Sequence, residues 1–268
     1  MEIPFSRWHA AIPLRRSRRR YDSVPLGPAL LKQLQTVCRD FRPYPEARAE
    51  MVSASPDSIL RGIAGSYGKV KGAPALIAFI GGINDAHINE KIGYTGEGIV
   101  LEATAMGLGT CWVGGSTFFR RDVAGSAVDA AEKERVFAVT PVGHSAKALS
   151  LEERAQTGFG MLHRRKPLAE MVSGLKEKEW PDWVKAALEA ARLAPSAVNR
   201  QPWRFDVKPD SITVSVDSTM MDFGVSKRID CGIAMLHIEV AALDCGVIGE
   251  WELLEAPQVA KFKVLEIK

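Results

Sequence analysis

Leu193-Ala-Pro-Ser-Ala-Val-Asn-Arg-Gln-Pro-Trp-Arg-Phe205 joins two segments of different periodicity. Upstream, Val184, Ala187, Leu188 and Ala191 recur at helical spacing, which predicts an amphipathic helix over Trp183–Ala191. Pro195 ends it, because its ring lacks an N–H and clashes one turn back. Ser196 and Asn199 favour a turn through side-chain to backbone hydrogen bonds. Trp203 to Val207 then alternates like a half-buried strand. The expected order is helix, polar loop, strand, with Ser196, Asn199 and Gln201 on the loop. Local physics leaves two readings open. The loop is an ordinary connection, or it presents amide and hydroxyl groups to a planar polar ligand.

The whole chain has 268 residues, enough for one large domain or two modest ones. At 46% hydrophobic and 25% charged, it reads as globular rather than disordered. A net charge of +3 and a pI near 8.6 lie far from the extremes of nucleic-acid binders. No uncharged apolar run is long enough to span a bilayer; Gly98–Trp112 is short and carries Glu102. The first residues lack the charged-then-apolar order of a signal peptide. Cys38, Cys111, Cys231 and Cys245 show neither metal-ligand spacing nor a disulfide framework, so the expected compartment is the cytoplasm.

Outward from the central stretch, three more segments carry chemistry. Arg15, Arg16, Arg18, Arg19 and Arg20 crowd around Ser17, just ahead of a helical run at Ala29–Val37. Such a run is either a solvated charge face or an anion site, since guanidinium pairs bidentately with phosphate. Gly98–Leu108 is apolar nearly all round and predicts a buried helix. It runs into Gly109-Thr-Cys-Trp-Val-Gly-Gly115, whose glycines either end the helix or let backbone approach a ligand. Cys111 there has no neighbouring base and reads as packing. Arg164-Arg-Lys-Pro-Leu168 is the third segment, a basic loop or a phosphate contact. Between them, Ala75–Ile80 and Val136–Gly143 read as strands.

These motifs together resemble the FMN-dependent nitroreductase family. Ala194–Trp203 is similar to the family's signature loop, which reaches across a dimer interface to FMN bound by the other subunit. The resemblance implies that Pro195, Ser196, Ala197 and Asn199 contact the flavin. It likewise implies flavin and phosphate contacts from Arg15, Arg16, Ser17 and Arg19, and ring contacts from Trp112, Val113, Gly114 and Gly115. Arg165 is the best match to the family's later phosphate ligand, with Arg164 second. Lys69 falls where a polar flavin contact is placed, and a solvated loop lysine is an equal reading.

The chain carries one set of these parts, split between its halves. Pro56-Asp-Ser-Ile59 recurs as Pro209-Asp-Ser-Ile212, an offset of 209 − 56 = 153. Glu102, Ala105 and Gly109 recur as Glu239, Ala242 and Gly246, an offset of 239 − 102 = 137. The two offsets require a deletion of 153 − 137 = 16 residues in the second copy. The expectation is an α+β, nitroreductase-like fold of two related lobes, with mixed or antiparallel sheets flanked by helices, forming an intramolecular pseudo-dimer. The first lobe takes residues 1–175 and holds most flavin contacts; the second, 176–268, is degenerate and completes the site.

By the resemblance, the chemistry is hydride transfer from NAD(P)H through FMN to a nitroaromatic, quinone or similar small electron acceptor. No side chain reads as a dedicated acid or base, and the five histidines form no metal pattern. A monomer suffices for the site, and further homo-oligomerisation is compatible with it. Other readings keep the flavin but change the reaction to dehalogenation, ring reduction or flavin breakdown, or keep a pocket without turnover. Nucleic-acid binding through Arg15–Arg20 and Arg164–Lys166 ranks last, and no membrane partner is expected.

Overall fold

A computed structural model describes residues 1–60, 70–115, 117–146, 164–218 and 224–268. Its helices follow the apolar spacing. Helix α1 spans Phe5–Ala11, and α2 spans Pro28–Asp40 with proline in its first turn, where no intrahelical N–H is needed. The short α3 (Pro56–Ile59) and α5 (Arg121–Ser126) flank the long α4 (Ile88–Ala105). Helix α6, Asp182–Arg192, buries Trp183, Val184, Ala187, Leu188 and Ala191 on one face, as its periodicity requires. Helix α7 covers Lys227–Asp244 and, like α4, is buried nearly all round. Helix α4 begins ten residues before the Gly98 start read from its apolar run, because the polar-looking Asn89–Glu97 turns also face protein. No helix among the described residues is long and apolar enough to cross a membrane.

Two sheets divide the strands. The first has β1 (Ala47–Met51), β2 (Ala75–Gly82), β3 (Gly109–Thr110), β4 (Val113–Gly114) and β5 (Glu134–Gly143). Its order is β1-β2-β5-β3, with β4 also paired to β5. The second has β6 (Val172–Gly174), β7 (Trp203–Lys208), β8 (Ser211–Val216), β9 (Val247–Leu253) and β10 (Gln258–Ile267), in the order β6-β7-β8-β10-β9. Pairing is antiparallel except for β6 alongside β7. Without β6, the path β7-β8-β10-β9 repeats β1-β2-β5-β3, so two related α+β lobes are present.

The long helices correspond at one offset. Helices α4 and α7 are the same length, with 227 − 88 = 139 and 244 − 105 = 139. The left-handed glycines after them, Gly107 (φ 78°) and Gly246 (φ 77°), are also 246 − 107 = 139 apart. The correspondences read from sequence are therefore corrected. Gly246 matches Gly107, while Gly109 lies in β3. Pro56–Ile59 is helical, whereas Ser211 and Ile212 open β8, so that tetrapeptide takes a different local structure in each lobe. Strands β1 and β7 nevertheless begin 203 − 47 = 156 residues apart, against 139 for the long helices, so the second lobe is shorter before α7, as the deletion requires. Val172–Gly174 already pairs within the second sheet, so the chain passes between lobes before the 175/176 boundary.

The lobes meet where α4 lies on α7. A Cβ on Gly93 would stand 2.0 Å from the Ile229 carbonyl oxygen, and one on Gly232 would stand 2.0 Å from the Glu90 carbonyl oxygen. These contacts are related by the same offset, 232 − 93 = 229 − 90 = 139, so a local two-fold runs through the seam. One hydrophobic core extends from Leu34, Phe41 and Phe79 in the first lobe to Leu188, Phe205 and Phe262 in the second. Strand β2 alternates, with Ile77 and Phe79 in that core and Leu76, Ala78 and Ile80 in a smaller cluster under α5. Helix α1 straddles both lobes: the buried Trp8 donates to Glu102 of α4 at 2.8 Å, and His9 pairs with Asp244 of α7 at 2.7 Å.

Either seam glycine replaced by valine drives a side chain into backbone. Gly93→Val and Gly232→Val are each expected to reach or pass the upper end of the roughly 1–3 kcal/mol seen for overpacking. Urea denaturation checks this against Gly27→Ala, where the added Cβ meets nothing within 4 Å.

Candidate functional site

Helix α1 sets the course of the arginine run. The amides of Leu14 and Arg15 bond to the Ala11 carbonyl, closing the helix, and the chain then extends beside the start of the glycine loop. Ser17 bridges Thr110, and the Arg18 amide donates to the Thr110 carbonyl at 2.7 Å. The arginines diverge from there. Arg15 turns inward and is 6% exposed. Arg16 stays exposed and donates to the Pro13 and Arg15 carbonyls, and Arg18 reaches the Ala146 carbonyl. Arg19 is half-buried, and its carbonyl accepts the Lys71 amide. Arg20 points to solvent.

The glycine loop crosses from β3 to β4 against β5. Trp112 packs on Phe79, ring centroids 4.5 Å apart, and its Nε1 donates to Glu97 Oε2 at 2.7 Å. Val113 and Gly114 form β4, and a Cβ on Gly114 would come within 2.9 Å of Val225. That glycine makes room for the second lobe. Gly115 is left-handed, φ 80°, and buried beside Gly224. Cys111 is buried and its amide bonds to Thr140, a packed position. Lys69 lies outside the described residues.

The signature loop is tied down on all sides. Val198, Asn199 and Gln201 take φ of 49°, 56° and 49°, unusual for side chains other than glycine and strained for the β-branched Val198. Many bonds hold this conformation. Ser196 Oγ accepts the Gln201 amide at 3.0 Å, and the Ala197 amide donates to Asp230. Arg165 donates to the Leu193 and Ala194 carbonyls at the end of α6 and to Asn199 Oδ1. Asn199 and Gln201 return donors to the Arg164 carbonyl, whose side chain is exposed. Arg165 thus belongs with the second lobe, although its motif reads as part of the first. Pro195 is buried at the helix end. The amide and hydroxyl groups of Ser196 and Asn199 serve the loop's own geometry.

Charge collects where these parts meet. Burial first, and then Arg15, Arg16 and Arg192, push the Arg165 guanidinium down to about 10. Burial also pulls Arg15 down, opposed by Glu97. Arg15 Nε is buried without a hydrogen-bond partner among the described residues and stands 4.0 Å from Glu97 Oε1. Buried like charges with an unsatisfied donor fit an anionic group such as phosphate. The arrangement brings Arg15, Arg16, Arg165, Trp112 and the signature loop to one junction between the lobes.

A family model described as "Putative TM nitroreductase" matches residues 8–242. The chain belongs to this nitroreductase family. That places it among the oxidoreductases. Among solved structures, a putative nitroreductase from Thermotoga maritima is 18% identical, with 96% of this chain and 93% of that chain covered at a TM-score of 0.64. A nitroreductase with bound FMN from Bacteroides fragilis is 18% identical over 54% of this chain and 91% of its own, at a TM-score of 0.42. No curated protein matches. Likenesses at this identity describe the fold.

Several site residues of this nitroreductase were not singled out from its sequence. Glu97 and His237 sit fully buried on α4 and α7, 3.0 Å apart. Arg200 and Asp230 form a buried ion pair at 2.6 Å, and Arg200 also donates to the Val225 carbonyl. Burial raises the Asp230 carboxyl to about 6 even though Arg200 pulls it down. Glu97 lies just ahead of the apolar run read at Gly98–Leu108 and so gave no signal; Asp230 and Arg200 gave none either, since their pairing depends on the folded loop.

Asp230→Ala strands the buried Arg200 charge and is expected to cost about 3–5 kcal/mol, the range for breaking a buried pair. Urea denaturation measures the loss. Faster amide exchange at Ala197, whose bond to Asp230 goes with it, places the damage at the signature loop.

Proposed function

We propose that this nitroreductase is an FMN-dependent oxidoreductase, with NAD(P)H as reductant and a small electron-poor compound, a nitroaromatic or a quinone, as acceptor. The carrying observation is the junction of Arg15, Arg16 and Arg165 beside Trp112 and the signature loop, with Arg15 Nε buried and lacking a hydrogen bond. When bound, FMN supplies two-electron hydride chemistry between the reductant and the acceptor. Arg15 and Arg165 hold its phosphate, relieving the repulsion between their own charges. Arg16, Ser17, Arg19 and Arg164 line the approach, and Lys69 keeps its assignment as a polar flavin contact. Trp112, Val113, Gly114 and Gly115 form one wall of the cradle. Pro195, Ser196, Ala197 and Asn199 form the facing wall, which the Arg200–Asp230 pair holds rigid.

The reading includes an internal duplication and one flavin per chain. The common offset of α4 and α7 and the repeated strand order support duplication. The mirror position supports the count. There Phe41 is buried against Trp8 at 4.9 Å between centroids, and Tyr44 packs on Tyr94 at 5.4 Å. Gly98 leaves the room that Phe41 fills. Where the first lobe has its arginine run, the second has Glu177–Glu179. Aromatic filling and acidic residues do not suit a flavin phosphate. One chain therefore suffices, and any further assembly leaves the stoichiometry unchanged. Four cysteines outside any disulfide suit a reducing compartment such as the cytoplasm.

Titration of the protein with FMN, followed by quenching of flavin fluorescence, is expected to saturate at one flavin per chain, and NAD(P)H to bleach the bound flavin. Arg15→Ala and Arg165→Ala each remove a charge-assisted contact worth roughly 1.5–3 kcal/mol, so affinity falls about tenfold or more. Arg20→Ala, on an exposed side chain, changes it little. No saturable FMN binding by the wild type, or equal losses at all three arginines, overturns the reading.

A further inference from the structure

We propose that Glu97 is the positioning residue of the flavin cradle: from inside α4 it fixes Trp112 beside Arg15, while His237 of the second lobe locks its carboxylate. The proposal rests on the FMN reading above.

Glu97 is fully buried, and a carboxylate there is costly unless it is paired and hydrogen-bonded. Its partners come from three separate parts of the chain. Oε2 accepts from Trp112 Nε1 at 2.7 Å; Oε1 faces His237 Nε2 at 3.0 Å and Arg15 Nε at 4.0 Å. Gly96, one residue earlier, allows the tryptophan contact: a Cβ there would stand 2.4 Å from Trp112 Cη2. The missing side chain lets the indole lie against α4 with its N–H on the carboxylate.

His237 is oriented from its other side. Nδ1 is 2.8 Å from the Ala190 carbonyl, which can only accept, so Nδ1 carries a hydrogen. The contact between Nε2 and Oε1 then contains a proton shared between ring and carboxyl. This fixes Glu97 against both α7 and the end of α6, from which the signature loop departs. Both walls of the cradle are referred to one side chain.

The mirror half supplies a comparison. Trp251 stands 251 − 112 = 139 residues after Trp112, and its Nε1 donates to Glu239 on α7 at 2.8 Å. Glu239 also accepts from Tyr94 of α4, and burial raises it. Glu239 thus makes the same kind of tie between tryptophan and helices in the half whose pocket is filled by aromatic rings. Loss of packing alone would affect the two carboxylates alike; a positioning role in the cradle would separate them.

The test compares Glu97→Leu, Glu97→Gln and Glu239→Leu. It uses FMN titration, together with hydrogen exchange of the Trp112 indole N–H in the flavin-free protein, its resonance assigned with Trp112→Phe. Glu97→Leu is expected to weaken FMN binding about tenfold or more and to speed indole exchange about tenfold or more. Glu97→Gln keeps an acceptor for Trp112 and offers an N–H to His237, so both readouts stay within about threefold of wild type. Glu239→Leu lowers the urea midpoint but leaves FMN binding within about threefold. FMN binding retained in Glu97→Leu, or lost equally in Glu97→Gln or Glu239→Leu, overturns the proposal. If Glu97→Leu does not fold, Trp112→Phe cuts the same tie from the other side and carries the same tenfold expectation and the same reversal. If the wild type binds no FMN, the functional reading fails by itself; the indole exchange still decides the tie, with equal rates in wild type and Glu97→Leu overturning it.

Discussion

Backbone meets backbone where α4 crosses α7, with Gly93 against Ile229 and Gly232 against Glu90. No side chain larger than hydrogen fits at either point, and the close approach governs what lies around it. It brings Glu97 within 3.0 Å of His237, sets Val225 against Gly114, and closes one hydrophobic core over both sheets. Had the helices been held apart by ordinary side chains, the arginine run and the signature loop would face each other across a gap. The junction of arginines, Trp112 and signature loop is a property of the seam, and each lobe contributes one side of it.

The seam gathers charges that do not balance. Arg15, Arg16 and Arg165 repel one another, and Glu97 offsets Arg15 and Arg165 only in part. Burying guanidinium groups in this way costs stability, and the strained Val198–Gln201 turn adds to that cost. The surrounding structure bears it through ordinary means: a wide apolar core, the Arg200–Asp230 pair, and the bonds from Arg165 to the end of α6. Local instability concentrated at one junction is the usual cost of a preorganised binding site.

The sequence disclosed what local rules determine. Helix α6, strand β7 and the loop between them follow from apolar spacing and Pro195, and they fall within a residue or two of expectation. Buried β2 and β5 were legible as apolar runs. Family membership was legible because glycine, proline and arginine occur in a fixed order in several segments. What escaped depends on distant pairing. Glu97 has its histidine partner 140 residues away, and Arg200 finds Asp230 only after the loop has turned. The tetrapeptide repeat takes helix in one place and a turn leading into strand in the other, its surroundings overruling the identical letters. The bonds of Arg165 to the end of α6 were not legible either, because a motif shows which residue is present but not which distant carbonyls it meets.

The separation between Glu97 and His237 also bears on how the protein is made. A ribosome releases the chain from its N-terminus, so α1, the arginine run and α4 emerge while α7 is still unsynthesised. During that interval the seam face of α4 is bare: Gly93 has no helix to meet and Glu97 no histidine. The first sheet can pair early, because β1, β2 and β5 are all complete by Gly143. The junction between the lobes cannot. It waits for the 268 − 244 = 24 residues that follow α7, since β9 and β10 must still close the second sheet behind that helix. Translation that stops before α7 leaves a sheet with an uncovered apolar helix, a species suited to chaperones and proteases rather than to cofactor.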